Sequence, residues 1–195
     1  MKRFALFLLG LVVIFGVIVL YHQYQDSFLN PNDAVSEHIS RITNNTPGEV
    51  ENFTIVSSTP RDGNNSELVL LFRASGKGSD IHIAGYAIVK KSLFGWHVEY
   101  SQMAGKSPLP DDILVNSSST DHGQVIFGQV FLANASTIEA VFLDPNSGQN
   151  IVQEEIPTGN FVLFGPQYGD LLEIRLLDHD GNILKRFTHD ELQSG

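Results

Sequence analysis

Residues 4–21 read FALFLLGLVVIFGVIVLY, eighteen positions without a charge, an amide or a proline, and no other segment limits the chain so strongly. A helix of that length rises roughly 27 Å at about 1.5 Å per residue, close to the roughly 30 Å hydrocarbon thickness of a bilayer. The rival is a cleaved secretory signal, whose apolar stretch is usually about 7–15 residues and ends in a small-x-small site. Here no small side chain stands between Val17 and Gln25. The expectation is a retained transmembrane signal-anchor helix at 4–21 behind a cytoplasmic stub at 1–3. Lys2 and Arg3 precede the run, and no Lys or Arg follows it before Arg41. The positive-inside bias then puts the N-terminus in the cytoplasm and everything after the run outside a cell membrane crossed once.

About 170 residues follow, enough for one large or two small cores. They carry 22 acids and 10 bases. A surface of that sign repels nucleic acid and anionic headgroups, so DNA and RNA are not expected partners. The chain has no cysteine, which excludes disulfide staples, thiol catalysis, thiolate zinc sites and a lipid-bearing N-terminal cysteine. Acidity is uneven: residues 26–106 hold 9 acids and 7 bases, residues 107–195 hold 13 and 3. That asymmetry suggests two units. The intervening KSPLPDDILVNSSSTDHG has two prolines, paired aspartates and a serine run, and reads as a linker over 107–122.

The fold class expected is mainly β: after a juxtamembrane segment at 22–31, a small α+β unit at 32–106, then a C-terminal β-sandwich at 123–190 and a tail at 191–195. In the first unit Asn32 or Asp33 reads as the N-cap of a helix with Val35, Ile39 and Ile42 on one face. Strands follow at about 50–57, 67–74, 81–90 and 96–102, a four-strand antiparallel meander. The helix is expected to bury its stripe on Leu68, Leu70, Phe72, Ile88 and Val98. In the second unit, strands at about 124–132, 138–144, 151–155, 160–164, 171–178 and 183–187 recur at a spacing that suits a sandwich. Phe127, Phe131, Phe142, Phe161 and Phe164 are expected in its core.

The stretch IAGYAIVKKSLFGWHVEY, a hydrophobic strand, a basic turn and Gly95-Trp96 leading into the next strand, resembles the α+β sheets of cystatin-like and nuclear-transport-factor-like extracytoplasmic modules. The turns at Asp144-Pro145-Asn146-Ser147-Gly148-Gln149 and Asp178-His179-Asp180-Gly181-Asn182 resemble those of bacterial immunoglobulin-like and carboxypeptidase-regulatory-like modules. Those folds host enzymes, ligand pockets and adaptors alike, so the resemblance implies architecture and carries over no functional residue.

Candidate chemistry is sparse. Asp178, Asp180 and Asn182 supply oxygens at alternate positions, as an EF-hand loop opens, but the sixth position is Ile183 where glycine is required, and the twelfth is His189 where glutamate is required. A plain hairpin turn accounts for the same residues, with a looser calcium site as the metal candidate. His82, His97, His122, His179 and His189 form no H-x-H or H-x-x-x-H pair. With a turn near Lys91 and Ser92, His82 would pair near Gln102 and His97 near Ala87. Ser75-Gly76-Lys77-Gly78-Ser79 lacks the glycine and the Ser/Thr of a phosphate loop, since Leu71 and Gly78 hold those positions. Glu154 and Glu155 are neighbours on a strand and point to opposite faces. Asp111 and Asp112 read as solvated. Sequons stand at Asn44, Asn52, Asn64, Asn116 and Asn134.

No catalytic motif and no cofactor is therefore expected. The function read from the sequence is a non-enzymatic, membrane-anchored binding or scaffolding module of the cell envelope, with another envelope protein or a cell-wall polymer as partner. The alternative is a small-ligand or calcium-binding ectodomain.

Overall fold

The structure, a computed structural model, describes residues 12–19, 21, 27–43, 50–61, 63–106, 112–120, 123–145, 148–166, 169–188 and 190–191. Residues 12–19 are helical, with Val12, Phe15 and Val19 exposed. No helix among the described residues is long and apolar enough to cross a membrane. The stub at 1–3, residues 4–11 and 20 of the expected anchor, and 22–26 lie outside them.

The chain is mainly β, with eleven described strands in antiparallel sheets. Helix α1 (Pro31–Thr43) precedes the strands. Its cap is Asn30, ahead of both Asn32 and Asp33, the expected N-caps: the Asn30 Oδ1 accepts from the Asn32 N–H at 2.9 Å. Pro31 takes the first helical position, where its fixed φ fits and its missing N–H leaves nothing unsatisfied. The buried stripe is Ala34, Val35, Ile39 and Thr43, and Ile42 is 39% exposed. Thr43 can occupy the inner position because its hydroxyl donates to the Ile39 carbonyl at 2.8 Å.

A meander follows: β1 (Val50–Arg61), β2 (Asn64–Gly76), β3 (His82–Ser92) and β4 (Gly95–Lys106), paired in that order. The second half has β5 (Ile113–Thr120), β6 (Gly123–Val130), β7 (Thr137–Asp144), β8 (Gly148–Glu155), β9 (Asn160–Phe164), β10 (Asp170–Leu177) and β11 (Ile183–Thr188). They form a three-stranded sheet β5-β6-β9 and a four-stranded sheet β11-β10-β7-β8. Strand β5 lies within the segment expected as linker. Its pairing with β6 is continuous from Ile113↔Val130 to Thr120↔Gly123, because Ile113 and Leu114 have buried sites to fill. Gly128 permits the close approach: a Cβ there would stand 1.8 Å from the Leu114 carbonyl oxygen.

Alternation along the strands gives every sheet its partners. One face of the meander, Leu70, Phe72, Ala87, Val89 and Trp96, packs on Ala34, Val35 and Ile39 of α1. The opposite face, Val69, Leu71, Tyr86 and Ile88, packs on Val125 and Phe127 of β6 and Val162 of β9. Ile88 thus points away from the helix, against expectation, and Val89 supplies the contact. The other face of the three-stranded sheet, with Ile126, Phe161 and Leu163, meets Ile138, Phe142, Ile174 and Leu176 across the sandwich core. The order of layers is helix, meander, three-stranded sheet, four-stranded sheet. Phe127, Phe142 and Phe161 are fully buried, while Phe131 and Phe164 are half-buried.

Two polar contacts tie the sandwich sheets together. Asp112, expected to be solvated, is half-buried and ion-paired with Lys185 of β11; Asp111 lies outside the described residues. Glu154 of β8 accepts a hydrogen bond from the Val162 N–H of β9 at 3.2 Å, whereas Glu155 is exposed.

Candidate functional site

Between the meander and the end of β6 lies a cleft of about 460 Å³ lined by Asn52, Thr54, Arg73, Ala74, Ser75, His82, Ile83, Gln129 and Phe131. Strand alternation explains the lining. Val69 and Leu71 face the three-stranded sheet, so Arg73 and Ser75, further along β2, face the same way. Thr54 is the cross-strand partner of Arg73, and His82 that of Ser75. At the end of β6 these side chains meet Gln129 and Phe131 instead of a packed core. Phe131 was expected in that core and is drawn outward, where its N–H donates to the Asp112 carbonyl at 2.8 Å.

A local irregularity shapes one wall. Register breaks between Glu51 and Thr54, and Asn52 adopts φ 55°, a left-handed conformation that asparagine tolerates better than most residues. Its Nδ2 donates to the Ser75 Oγ at 3.0 Å, and that hydroxyl donates to the Glu51 carbonyl at 3.3 Å. The lining contains no carboxylate side chain. Arg73 is exposed and makes no ion pair or hydrogen bond through its side chain with any described residue. Two half-buried arginines differ: Arg61 bonds Glu67 at 2.6 Å, and Arg175 bonds Glu173 at 2.5 Å. A free guanidinium beside amide, hydroxyl and imidazole groups suits a small anionic group. Ser75 and His82 are cross-strand neighbours, but among the described residues no hydrogen bond joins hydroxyl to ring, so the pair lacks the link that activates a nucleophile.

The other sequence candidates lie elsewhere. Asp178 is committed to its turn: its Oδ1 accepts from the Asp180 N–H at 2.9 Å and the Asn182 N–H at 2.8 Å, and its Oδ2 accepts from the Asn182 Nδ2 at 3.1 Å. Hydrogen bonds from the Asn182 side chain and backbone lower its pKa. Gly181 completes the turn at φ 79°. No group of three or more His, Asp or Glu among the described residues could hold a metal ion. His82 pairs with Lys106 and His97 with Lys90. The register is offset from the expected one because the turn is Leu93-Phe94, with Ser92 facing Gly95. His122 and His189 lie outside the described residues. Ser75-Gly76-Lys77-Gly78-Ser79 is a hairpin tip with Gly78 at φ 66°. Among the sequons, the Asn116 Nδ2 is buried and closed to modification, and Asn44 lies outside the described residues.

Sequence reasoning passed over Arg73. Its signal is the charge that interrupts the strand directly after LVLLF, a run apolar at five consecutive positions. Comparison with protein-family models, with curated proteins and with solved structures gives no match for this chain.

Proposed function

We propose that the chain is a non-enzymatic binding protein of the cell envelope, held at the membrane by residues 4–21 with its body outside, and that the cleft receives an anionic group carried by a cell-wall polymer. One observation carries the reading of the cleft: Arg73 has no partner among the described residues in a concavity whose lining has no carboxylate. The length of the uncharged run and its flanking Lys2 and Arg3 support the anchor and its direction. The test of the cleft is calorimetric titration of the full chain in detergent with soluble anionic wall fragments, beside Arg73→Ala and Arg73→Lys. Binding that is lost in Arg73→Ala and partly kept in Arg73→Lys supports the proposal. Equal heats in wild type and Arg73→Ala sink it. The anchor has its own test, since a protein released from membranes at alkaline pH, or shielded from protease added outside cells, contradicts the proposed topology.

A second reading has one specific observation behind it. A volume of about 460 Å³ falls in the range of roughly 300–1,000 Å³ typical of small-molecule sites, so a free anionic metabolite is the alternative occupant. Thermal melting with a panel of small carboxylates and phosphates separates the two, because a ligand that binds the native state raises the melting temperature.

A further inference from the structure

Two leucines in this chain have almost no protein around them: Leu93 is 100% exposed and Leu29 is 97% exposed. They belong to one corner. Leu93 is the first residue of the β3–β4 turn. Leu29 follows Phe28, whose backbone exchanges two hydrogen bonds of 2.7 Å with that of Trp96 at the start of β4. Gly95 makes the exchange possible: its φ is 134°, and a Cβ there would stand 2.4 Å from the Phe28 carbonyl oxygen. Phe94, half-buried, completes the turn.

The charges around this corner differ from those of the chain as a whole. Lys90 is ion-paired with Glu99 at 3.5 Å. Lys91 lies over the Trp96 ring, 5.7 Å from its centroid, and makes no ion pair with a described residue. Its charge is therefore available next to the exposed leucines. The location matters equally. Tyr21 and Ser27 are six residues apart, so the fully extended chain between them covers at most about 20 Å. The corner cannot be far from where the apolar run ends.

We infer that this corner enters the headgroup layer of the bilayer that holds residues 4–21, with Leu29, Leu93 and Phe94 in the interface and Lys91 beside the lipid phosphates. The inference rests on the anchor reading above. A convex tip with two isolated leucines, an aromatic ring and a lysine whose apolar stem can lie along the interface is suited to shallow insertion in lipid. A protein partner would need a matching hollow, whereas the short chain between Tyr21 and Ser27 keeps the bilayer within reach of the tip. The contact would orient the body on the membrane and fix which way the Arg73 cleft faces.

Because the chain has no cysteine, single labels are clean. Full-length protein carrying Leu93→Cys, Val13→Cys or Asp180→Cys is labelled with a polarity-sensitive fluorophore and reconstituted in vesicles of phosphatidylethanolamine and phosphatidylglycerol. The expected result is blue-shifted emission at Leu93 that is quenched by a headgroup-level lipid quencher, with the Asp180 label unshifted and the Val13 label quenched from the acyl region. A Leu93 label behaving like the Asp180 label, with Val13 embedded, overturns the inference and leaves the anchor standing. A Val13 label in water overturns both. Leu93 is fully exposed, so the substitution leaves folding intact and the readout interpretable.

Discussion

The ring of Tyr86 on β3 meets the ring of Phe127 on β6 edge-on, with centroids 5.1 Å apart and planes at 60°. Phe164 of β9 adds a second perpendicular contact at 6.4 Å. Tyr86 and Phe127 are both fully buried, and they belong to two halves that composition separates by charge. Their contact makes the meander and the sandwich share a core.

The first consequence is cooperative unfolding. Trp96, the only tryptophan, packs on the α1 side of the meander and reports that half, while far-UV circular dichroism is dominated by both. Phe127→Ala removes a ring whose loss from a core costs about 3–5 kcal/mol. In urea, both signals are expected to show one shared midpoint in wild type and an equally lowered one in the variant. A Trp96 midpoint unmoved by Phe127→Ala contradicts a shared core.

Much of this arrangement is legible in the residues. The strands of the meander and of the sandwich follow hydrophobic alternation and turn chemistry, and their centres lie where those signals put them. Strand β5 is hidden because only Ile113, Leu114 and Val115 of ILVNSSST are apolar; pairing with β6 decides it, and pairing is a tertiary fact. The stacking of the two halves is half-written. LVLLF in β2 and FVLF in β9 are apolar at consecutive positions, which means burial on both faces, but an apolar face does not name the sheet that covers it. Arg73 is harder still. Its setting depends on how β2 lies against the end of β6, a relation set by packing and absent from any local pattern.

Tyr86 carries an alkaline signature. Burial, partly countered by a hydrogen bond with Ser118, pushes its phenol from 10.0 up to about 12. A group whose pKa is higher folded than unfolded holds its proton more tightly in the fold, so its contribution is complete below pH 10 and is lost as pH rises toward about 12. Absorbance titration at alkaline pH should show one tyrosine ionising late, together with unfolding. In Tyr86→Phe that late step should vanish while the ring contacts remain.

His38 acts at the other end of the scale. Its Nε2 lies 3.0 Å from the Ser101 Oγ, joining α1 to β4. Burial, and secondarily the charge of Arg41, lowers its pKa below 6.5. The fold therefore prefers the neutral ring: the stability is complete above pH 6.5 and is lost as pH falls through the folded value. Melting temperatures from pH 7.5 down to pH 5 should drop less steeply in His38→Gln than in wild type. Parallel curves for the two proteins would mean that the ring is not held neutral by its site.

Glu154 gives the same test with the opposite sign. Burial raises its pKa above 4.5, partly offset by the Val162 N–H that it accepts. The carboxylate thus pays a desolvation cost to satisfy an amide on the edge of β9. Its contribution is complete below pH 4.5 and fades as pH rises through the folded value. Glu154→Gln keeps an acceptor oxygen and removes the charge, so at pH 7 it should equal or exceed wild type in stability, with the difference closing as pH falls toward 4.5. Glu154→Ala leaves the Val162 N–H between the two sandwich sheets without its acceptor, at a cost of about 1–3 kcal/mol. Urea midpoints at pH 7 should rank Gln at or above Glu and both above Ala. If Gln falls with Ala, the negative charge, not the acceptor, is what β9 requires.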